Sequence, residues 1–419
     1  MSDGPNVLLV SPEYPPVPGG IGDYTALLAR RLGLTGATVT VLTSGTGSDE
    51  RDESGTLVLR HVPYWGWRLA ARVWRAACRV NAQIVHIQYQ TGMYEMHPAV
   101  TMLPLLIGKQ FRVVTTFHDV RPPYLFPKAG LLRNGVTRFL ACTSDATIAT
   151  NGTDTATLRR WGARPVLVPI GSNIPAITDP EQTPEARQRF CVRYGIAPDA
   201  VLLTTFGLLN QSKGLDTIIN TLALLREGGT PAHLLLIGAG AGGNDPTNRA
   251  TDTALSARIT ATGLTPFVSR TGPLPAREVA DALAWSDVCL LPYRDGASPR
   301  RGSLLAALAQ GVPVITTIPE GEAYDGLPPL TDAAVAFVPP DNVAAMVTAV
   351  RHILIDTNHA AQLRLGARSY AAHFDWEAIA RSTLAVYDSM GGTNARAKAQ
   401  WRQSGIMARV SAGAETGRE

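Results

Sequence analysis

The chain's 419 residues exceed what one hydrophobic core usually serves, so the length predicts two domains of about 200 residues each. Hydrophobic residues make up 45% and charged residues 17%, which excludes a disordered or fibrous chain and suits buried parallel sheets. The net charge is +4, and much of it sits after Gly391, where Arg396, Lys398, Arg402, Arg409 and Arg418 face only Glu415 and Glu419; nothing here calls for a nucleic-acid partner.

The N-terminus has no basic region followed by an apolar run, so no signal peptide is expected. No apolar stretch approaches the ~20 residues that span a bilayer. Cys78, Cys142, Cys191 and Cys289 form no CxxC pair and sit in apolar sequence, which predicts buried free thiols and a cytoplasmic setting.

Strands are expected at Val7 to Val10, Thr38 to Thr43, Ile84 to Gln88 and Arg112 to Thr116, with helices at Asp23 to Leu32 and Leu69 to Val80. This alternation describes an α/β domain over residues 1–174. A Pro-, Thr- and acid-rich linker follows at 175–184. The alternation restarts at Val201 to Phe206, Gly214 to Leu225, His233 to Ile237, Phe267 to Arg270, Val288 to Pro292 and Val312 to Thr316, giving a second doubly wound domain over 185–374. A last helix is expected within 375–390, before a tail at 391–419. Two such Rossmann-like domains in tandem imply a central cleft, because ligands bind outside the carboxyl ends of the strands.

In chain order, the first candidate is Glu13-Tyr14-Pro15-Pro16-Val17-Pro18-Gly19-Gly20-Ile21-Gly22, which delivers three glycines to a helix start. Glycine lets backbone approach a ligand, and the helix N-terminus suits a diphosphate; the same pattern also fits an ordinary tight loop. Arg68, Arg72, Arg75 and Arg79 then recur at helical spacing with Trp74 between them, a stripe that fits either an anionic membrane surface or a solvated face. His86, Gln88 and Tyr89 at one strand end, and His118 and Asp119 at the next, are acceptor-side or sugar-binding candidates, against the structural role that a lone histidine more often has.

In the second half, Gly207 to Gly214 places Lys213 at a helix start, where an ammonium neutralises phosphate. Tyr293 to Leu304 brings Ser298, Arg301, Gly302, Ser303 and Leu304 to another helix start, so that hydroxyls, guanidinium and backbone N–H converge as an anion site.

These pieces, with Thr116-Phe117-His118-Asp119, Ile237-Gly238-Ala239-Gly240, Thr271-Gly272-Pro273-Leu274, Ala307-Leu308-Ala309-Gln310-Gly311-Val312-Pro313 and Phe374-Asp375-Trp376, resemble in order the retaining GT-B glycosyltransferases of family four. The resemblance spans roughly residues 5–390. It implies a nucleotide-sugar donor, a sugar, lipid-linked or small-molecule acceptor, and no cofactor or divalent metal; no Asp-x-Asp motif occurs. It further implies that Gly19, Gly20 and Lys213 meet the diphosphate, His118 the transferred sugar, and Gly272 to Leu274 the nucleobase. Two departures stand out: the family's paired glutamates fall on Ser298 and Ala306, and the arginine usual after Gly207 is Leu208. Arg301 is the expected replacement cation. A non-catalytic binding protein and a GT-B epimerase remain as alternatives. A dehydrogenase is disfavoured because Gly238-x-Gly240-x-x-Gly243 has no ribose-binding acid about 20 residues on.

Overall fold

The computed structural model describes residues 4–17, 19–120, 130–177, 183–207, 210–238, 246–319, 324 and 326–390. Pro18, Leu208, Ala239, Gly240, positions 178–182 of the expected linker and the tail from 391 lie outside the described residues. The chain divides into two compact units, one formed by Met1–Ala149, Asp154–Val168 and Ala380–Glu419, the other by Thr150–Thr153 and Pro169–Ile379.

The first unit runs β1 (Asn6–Val10), α1 (Gly20–Leu34), β2 (Thr38–Ser44), β3 (Ser48–Arg51), β4 (Leu57–Val62), α2 (Leu69–Arg79), β5 (Ile84–Gln90), α3 (Leu103–Ile107), β6 (Arg112–Asp119), α4 (Gly130–Thr143), β7 (Ala146–Ala149), α5 (Gly152–Arg160) and β8 (Val166–Leu167), the first residues of α5 counting with the second unit. Its sheet order is β3-β4-β2-β1-β5-β6-β7-β8, parallel except for the β3–β4 pair. The chain winds outward from β1 one way and from β5 the other, so the topological switch lies between their carboxyl ends. Leu8, Val10, Val85, Ile87 and Phe117 pack in one core with Leu69, Val73 and Ala77 from the apolar face of α2. The β3–β4 hairpin has no counterpart among the expected elements. All of β3 is exposed and carries no apolar alternation; Arg60 to Glu50, and His61 and Arg79 to Asp49, hold it in place.

The second unit continues with α6 (Pro184–Arg193), β9 (Val201–Phe206), α7 (Leu215–Glu227), β10 (Ala232–Ile237), α8 (Pro246–Ala261), β11 (Val268–Gly272), α9 (Ala276–Ala284), β12 (Val288–Leu291), α10 (Gly302–Gln310), β13 (Val314–Thr317), β14 (Ala336–Val338), α11 (Val343–Ile355), α12 (Thr357–Ala371) and α13 (Trp376–Ser389). The sheet is all parallel, in the order β11-β10-β9-β12-β13-β14, with its switch between β9 and β12. Both faces are buried, which is why these strands read as continuous apolar runs. Leu202, Leu235 and Leu291 pack on one side with α9, α10 and α12, while Leu203, Leu234, Leu236 and Leu290 pack on the other with α7, α8 and α11. The period-two alternation therefore separates two cores rather than core from solvent.

The Phe374-Asp375-Trp376 ending anchors the last helix. Phe374 lies in the second unit's core, and Trp376 donates its indole N–H to the Ser172 carbonyl at 2.7 Å. A Cβ on Gly171 would stand 2.7 Å from that indole nitrogen, which accounts for glycine there. Residues of α13 from Ala380 onward count with the first unit, where Tyr387 is buried. All four cysteines are free, but only Cys191 and Cys289 are buried; Cys78 and Cys142 are exposed, correcting the expectation from their apolar neighbours, because each falls on the outer side of its helix.

Candidate functional site

The switch point of the second sheet assembles one cluster. Directly after β9, Gly207 has φ +101°, a left-handed backbone that favours glycine. A Cβ there would stand 2.7 Å from Lys213 Nζ and 3.7 Å from Ser303 Cβ, so the backbone, the ammonium and the start of α10 converge. Lys213 is only 6% exposed, and its Nζ donates to the Phe206 carbonyl. Burial pulls its pKa down to about 8, Cys289 opposes that shift, and the Arg301 charge adds to it. From the loop after β12, Tyr293 pairs its hydroxyl with Ser303 Oγ at 2.7 Å. The Arg301 guanidinium lies 4.4 Å from the Tyr293 ring centre, donates to Ser212 Oγ at 3.2 Å and ion-pairs with Asp295. α10 starts at Gly302 with no side-chain cap. A buried ammonium, a guanidinium and an uncapped helix start form a cradle for an anion.

Sequence reasoning passed over Tyr293 and Asp295, which set the position of Ser303 and Arg301. Their signal is the Tyr-Arg-Asp that follows a buried strand. Ser298 is half-buried and accepts from Arg300 N at 3.4 Å. Leu304 is corrected as a donor contact: its side chain is fully buried in the core and its N–H donates to the Arg301 carbonyl. Gly272 has φ +67° with open space where a Cβ would be, and Leu274 packs against the core. Ala306, at the position of an expected glutamate, is fully buried.

In the first unit, β6 carries a bulge: Tyr89 pairs with Phe117 and Gln90 with Asp119, leaving His118 as the extra residue at the strand end. Bulges re-aim a side chain in this way. His118 Nε2–H donates to Gln88 Oε1 at 2.8 Å, and the ring meets Tyr24 edge-on at 4.7 Å. Behind it, His86 bridges Thr116 Oγ1 at 2.7 Å and the Tyr387 hydroxyl at 2.6 Å. Burial holds both imidazoles near a pKa of about 3, with the other ring's charge adding to the effect on His86. His118 is therefore neutral at physiological pH, and its Nδ1 is left as a hydrogen-bond acceptor.

His86 and Gln88 are fully buried and Tyr89 nearly so, its hydroxyl on Thr137. The acceptor-side expectation is corrected for these three: Gln88 holds His118, while His86 and Tyr89 are engaged by other partners inside the sheet. Asp119 is half-buried beside it.

Of the three glycines after β1, two are explained internally. A Cβ on Gly19 would collide with the Glu13 carboxylate at 2.1 Å, and one on Gly22 would press on Glu13 and Tyr14 backbone at 3.1 Å. Gly20 alone is exposed with open space around it. Burial and the nearby Asp23 raise the Glu13 pKa.

The arginine stripe falls on α2 and on Arg68 just before it, with Arg68, Arg75 and Arg79 exposed. Arg79 is tied to Asp49, and Arg72 lies over the Tyr64 ring. Among the described residues no three His, Cys, Asp or Glu side chains group as a metal site, and no helix is long and apolar enough to cross a membrane.

Two family profiles match the chain: Glycosyltransferase Family 4 over residues 18–173 and Glycosyl transferases group 1 over residues 200–356. Among curated proteins, the chain is 29% identical over 231 residues to D-inositol 3-phosphate glycosyltransferase of Jonesia denitrificans, covering 53% of this chain and 50% of the relative. It is 28% identical over 253 residues to the protein of that name from Xylanimonas cellulosilytica, covering 58% and 57%. The match thus spans about half the length of these relatives. Among solved structures, sucrose-phosphate synthase from Thermosynechococcus elongatus aligns with TM-score 0.69 at 20% identity, covering 92% of this chain and 99% of that one. Anabaena HepE in complex with UDP aligns with TM-score 0.66 at 16% identity over 92% and 100%. The shared fold is GT-B.

Proposed function

The chain belongs to the group 1, family 4 glycosyltransferases, and from that premise we propose that it transfers a hexose-type sugar from a nucleotide-sugar donor to a glycan, lipid-linked or small-molecule acceptor, with retention of anomeric configuration and without a divalent metal. The observation that carries this reading is the convergence of Gly207, Lys213 and Ser303 at the switch point of the second sheet. There the donor diphosphate meets the ammonium, Arg301 and the α10 start. Preorganised cations and N–H dipoles aimed at the departing diphosphate stabilise the charge that develops as the sugar–phosphate bond breaks. His118 Nδ1 accepts a hydroxyl of the transferred sugar, and Gly20 lets backbone approach the diphosphate. Anabaena HepE, which shares this fold, has been solved in complex with UDP-glucose, in line with a nucleotide-sugar donor.

The acceptor is assigned to the first unit in a cytoplasmic enzyme. Exposed Trp67 and Arg68 just before α2 and Arg75 on it, together with exposed Leu105 and Leu106 on the packed α3, support peripheral contact with an anionic membrane. Loss of binding to anionic liposomes in R68Q/R75Q supports that contact, and unchanged or absent binding refutes it.

Thermal unfolding against nucleoside diphosphates and nucleotide sugars, with and without magnesium, tests the donor site. A ligand at ~100 times its Kd stabilises by about 2.7 kcal/mol. A shift with one nucleotide, indifferent to magnesium and lost in Lys213→Ala, is expected. A second reading, a non-catalytic GT-B binding protein, is favoured by Ser298 and the buried Ala306 standing where the family carries glutamates. Nucleotide binding without release of nucleoside diphosphate under any acceptor would select it.

A further inference from the structure

The second unit holds a second basic cavity at the opposite end of its sheet. It measures about 780 Å³ and is lined by Thr183 and Arg187 at the start of α6, Trp285 and Asp287 between α9 and β12, and Arg364 and Arg368 on α12. Asp287 immediately precedes β12 and accepts from Leu202 N, at the start of β9, at 2.7 Å. The cavity therefore opens at the amino ends of β9 and β12, whereas Gly207 and Lys213 lie past the carboxyl end of β9. The six residues of β9 separate the two by roughly 17–20 Å.

The charges in this cavity do not balance. Asp287 is the one carboxylate among its lining residues, and it is already engaged by Leu202 N and by Arg187 at 3.0 Å. Among the described residues Arg364 and Arg368 have no carboxylate within ion-pair distance; burial lowers the Arg364 pKa, the Asp287 charge opposes that shift in part, and the Arg368 charge adds to it, so the two guanidiniums stand close together. Like charges held side by side over a concave, partly apolar wall call for an anion to offset them. Three guanidiniums share the single Asp287 carboxylate here, and the two not in direct ion-pair contact with it match a phosphate dianion, whose three oxygens spread over several N–H donors, better than a monocarboxylate. The volume lies within the ~300–1,000 Å³ of small-molecule pockets, so the phosphate has room to bring an organic body that packs on Trp285.

We propose that this cavity binds a small phosphomonoester through Arg187, Arg364 and Arg368, as a site separate from the Lys213 cluster. Its occupancy has a physical route to that cluster. A Cβ on Gly311 would stand 2.4 Å from Arg368 Nε, so this arginine packs on the carboxyl end of α10, the helix whose other end presents Gly302 and Ser303. A ligand that draws Arg368 into the cavity bears on the end of that helix.

The test is thermal unfolding of the full chain with inorganic phosphate, ribose 5-phosphate, ribose and succinate at constant ionic strength. The two phosphates are expected to raise Tm by about 5 °C near saturation, while ribose and succinate do not. The shift is lost in R364Q/R368Q and kept in Lys213→Ala. The exposed R368Q single variant, which leaves the fold intact, weakens phosphate at least about tenfold. No shift with either phosphate, an equal shift with succinate, or a shift lost in Lys213→Ala and kept in R364Q/R368Q overturns the site. Because the Lys213→Ala arm reads the donor cluster separately, the failure of one site is distinguishable from failure of the other.

Discussion

Three bases, the buried His86 and Lys213 and the half-buried His118, give up proton affinity to desolvation, and each does so in a defined pH window. For both histidines the folded pKa is about 3 against an ordinary 6.5, so between these values the unfolded chain holds protons that the native chain lacks. Their contribution to stability is complete above pH 6.5 and falls as the pH drops toward 3. Each adds a slope of up to about 1.4 kcal/mol per pH unit. Urea unfolding at neutral and mildly acidic pH is expected to show this loss, with a shallower slope in His118→Asn. Lys213 has the opposite relation to its ligand. Its free pKa of about 8 means that a diphosphate binds best below pH 8, where the ammonium is present, and that the anion raises the pKa further. Affinity measured by titration calorimetry is expected to fall by up to about tenfold per pH unit above 8, and a flat profile in Lys213→Ala checks the assignment. Residue types alone singled out His118 and Lys213, whereas the neutral state of one and the partial charge of the other come from burial, which depends on neighbours distant in sequence.

Two glycines show how an element's ends carry function. Gly207, at φ +101° beside Lys213 Nζ, has neither the conformation nor the space for a side chain. Gly207→Ala is expected to cost about 1–2 kcal/mol and to displace the ammonium, so denaturant unfolding and nucleotide affinity fall together. Gly20, in the first turn of α1 with open space around it, is expected to behave in the reverse way. Gly20→Ala holds or raises stability by up to about 1 kcal/mol, since alanine favours the helix, while nucleotide affinity drops where the backbone approaches a diphosphate. Unchanged affinity in Gly20→Ala would remove that loop from the donor site. The GxG pattern announced all three glycines equally; Glu13, folded beneath the loop, separates Gly19 and Gly22 from Gly20. The bulge that sets off His118 was equally invisible, because register between β5 and β6 is a pairing property and leaves no mark in either strand.

At the scale of the whole chain, each unit carries its own core, so unfolding is expected to depart from a single two-state transition. In calorimetry the van't Hoff enthalpy should fall below the calorimetric one, and a nucleoside diphosphate should move the part of the transition that belongs to the second unit. A single two-state peak would show that the units unfold together. The α/β class, the two switch-point sheets and the position of the Lys213 and Ser303 loops were readable in advance, because apolar runs buried on both faces and glycine at strand ends are local signals. The β3–β4 hairpin, the ion pair that engages Arg301, the burial of Leu304 in the core and the retreat of His86 and Gln88 inside the sheet were not. Each depends on which side chain a distant segment presents. Local pattern therefore decides which elements form and in what order, whereas packing between segments far apart in the chain decides which polar side chains face a ligand and which are consumed in holding the others in place.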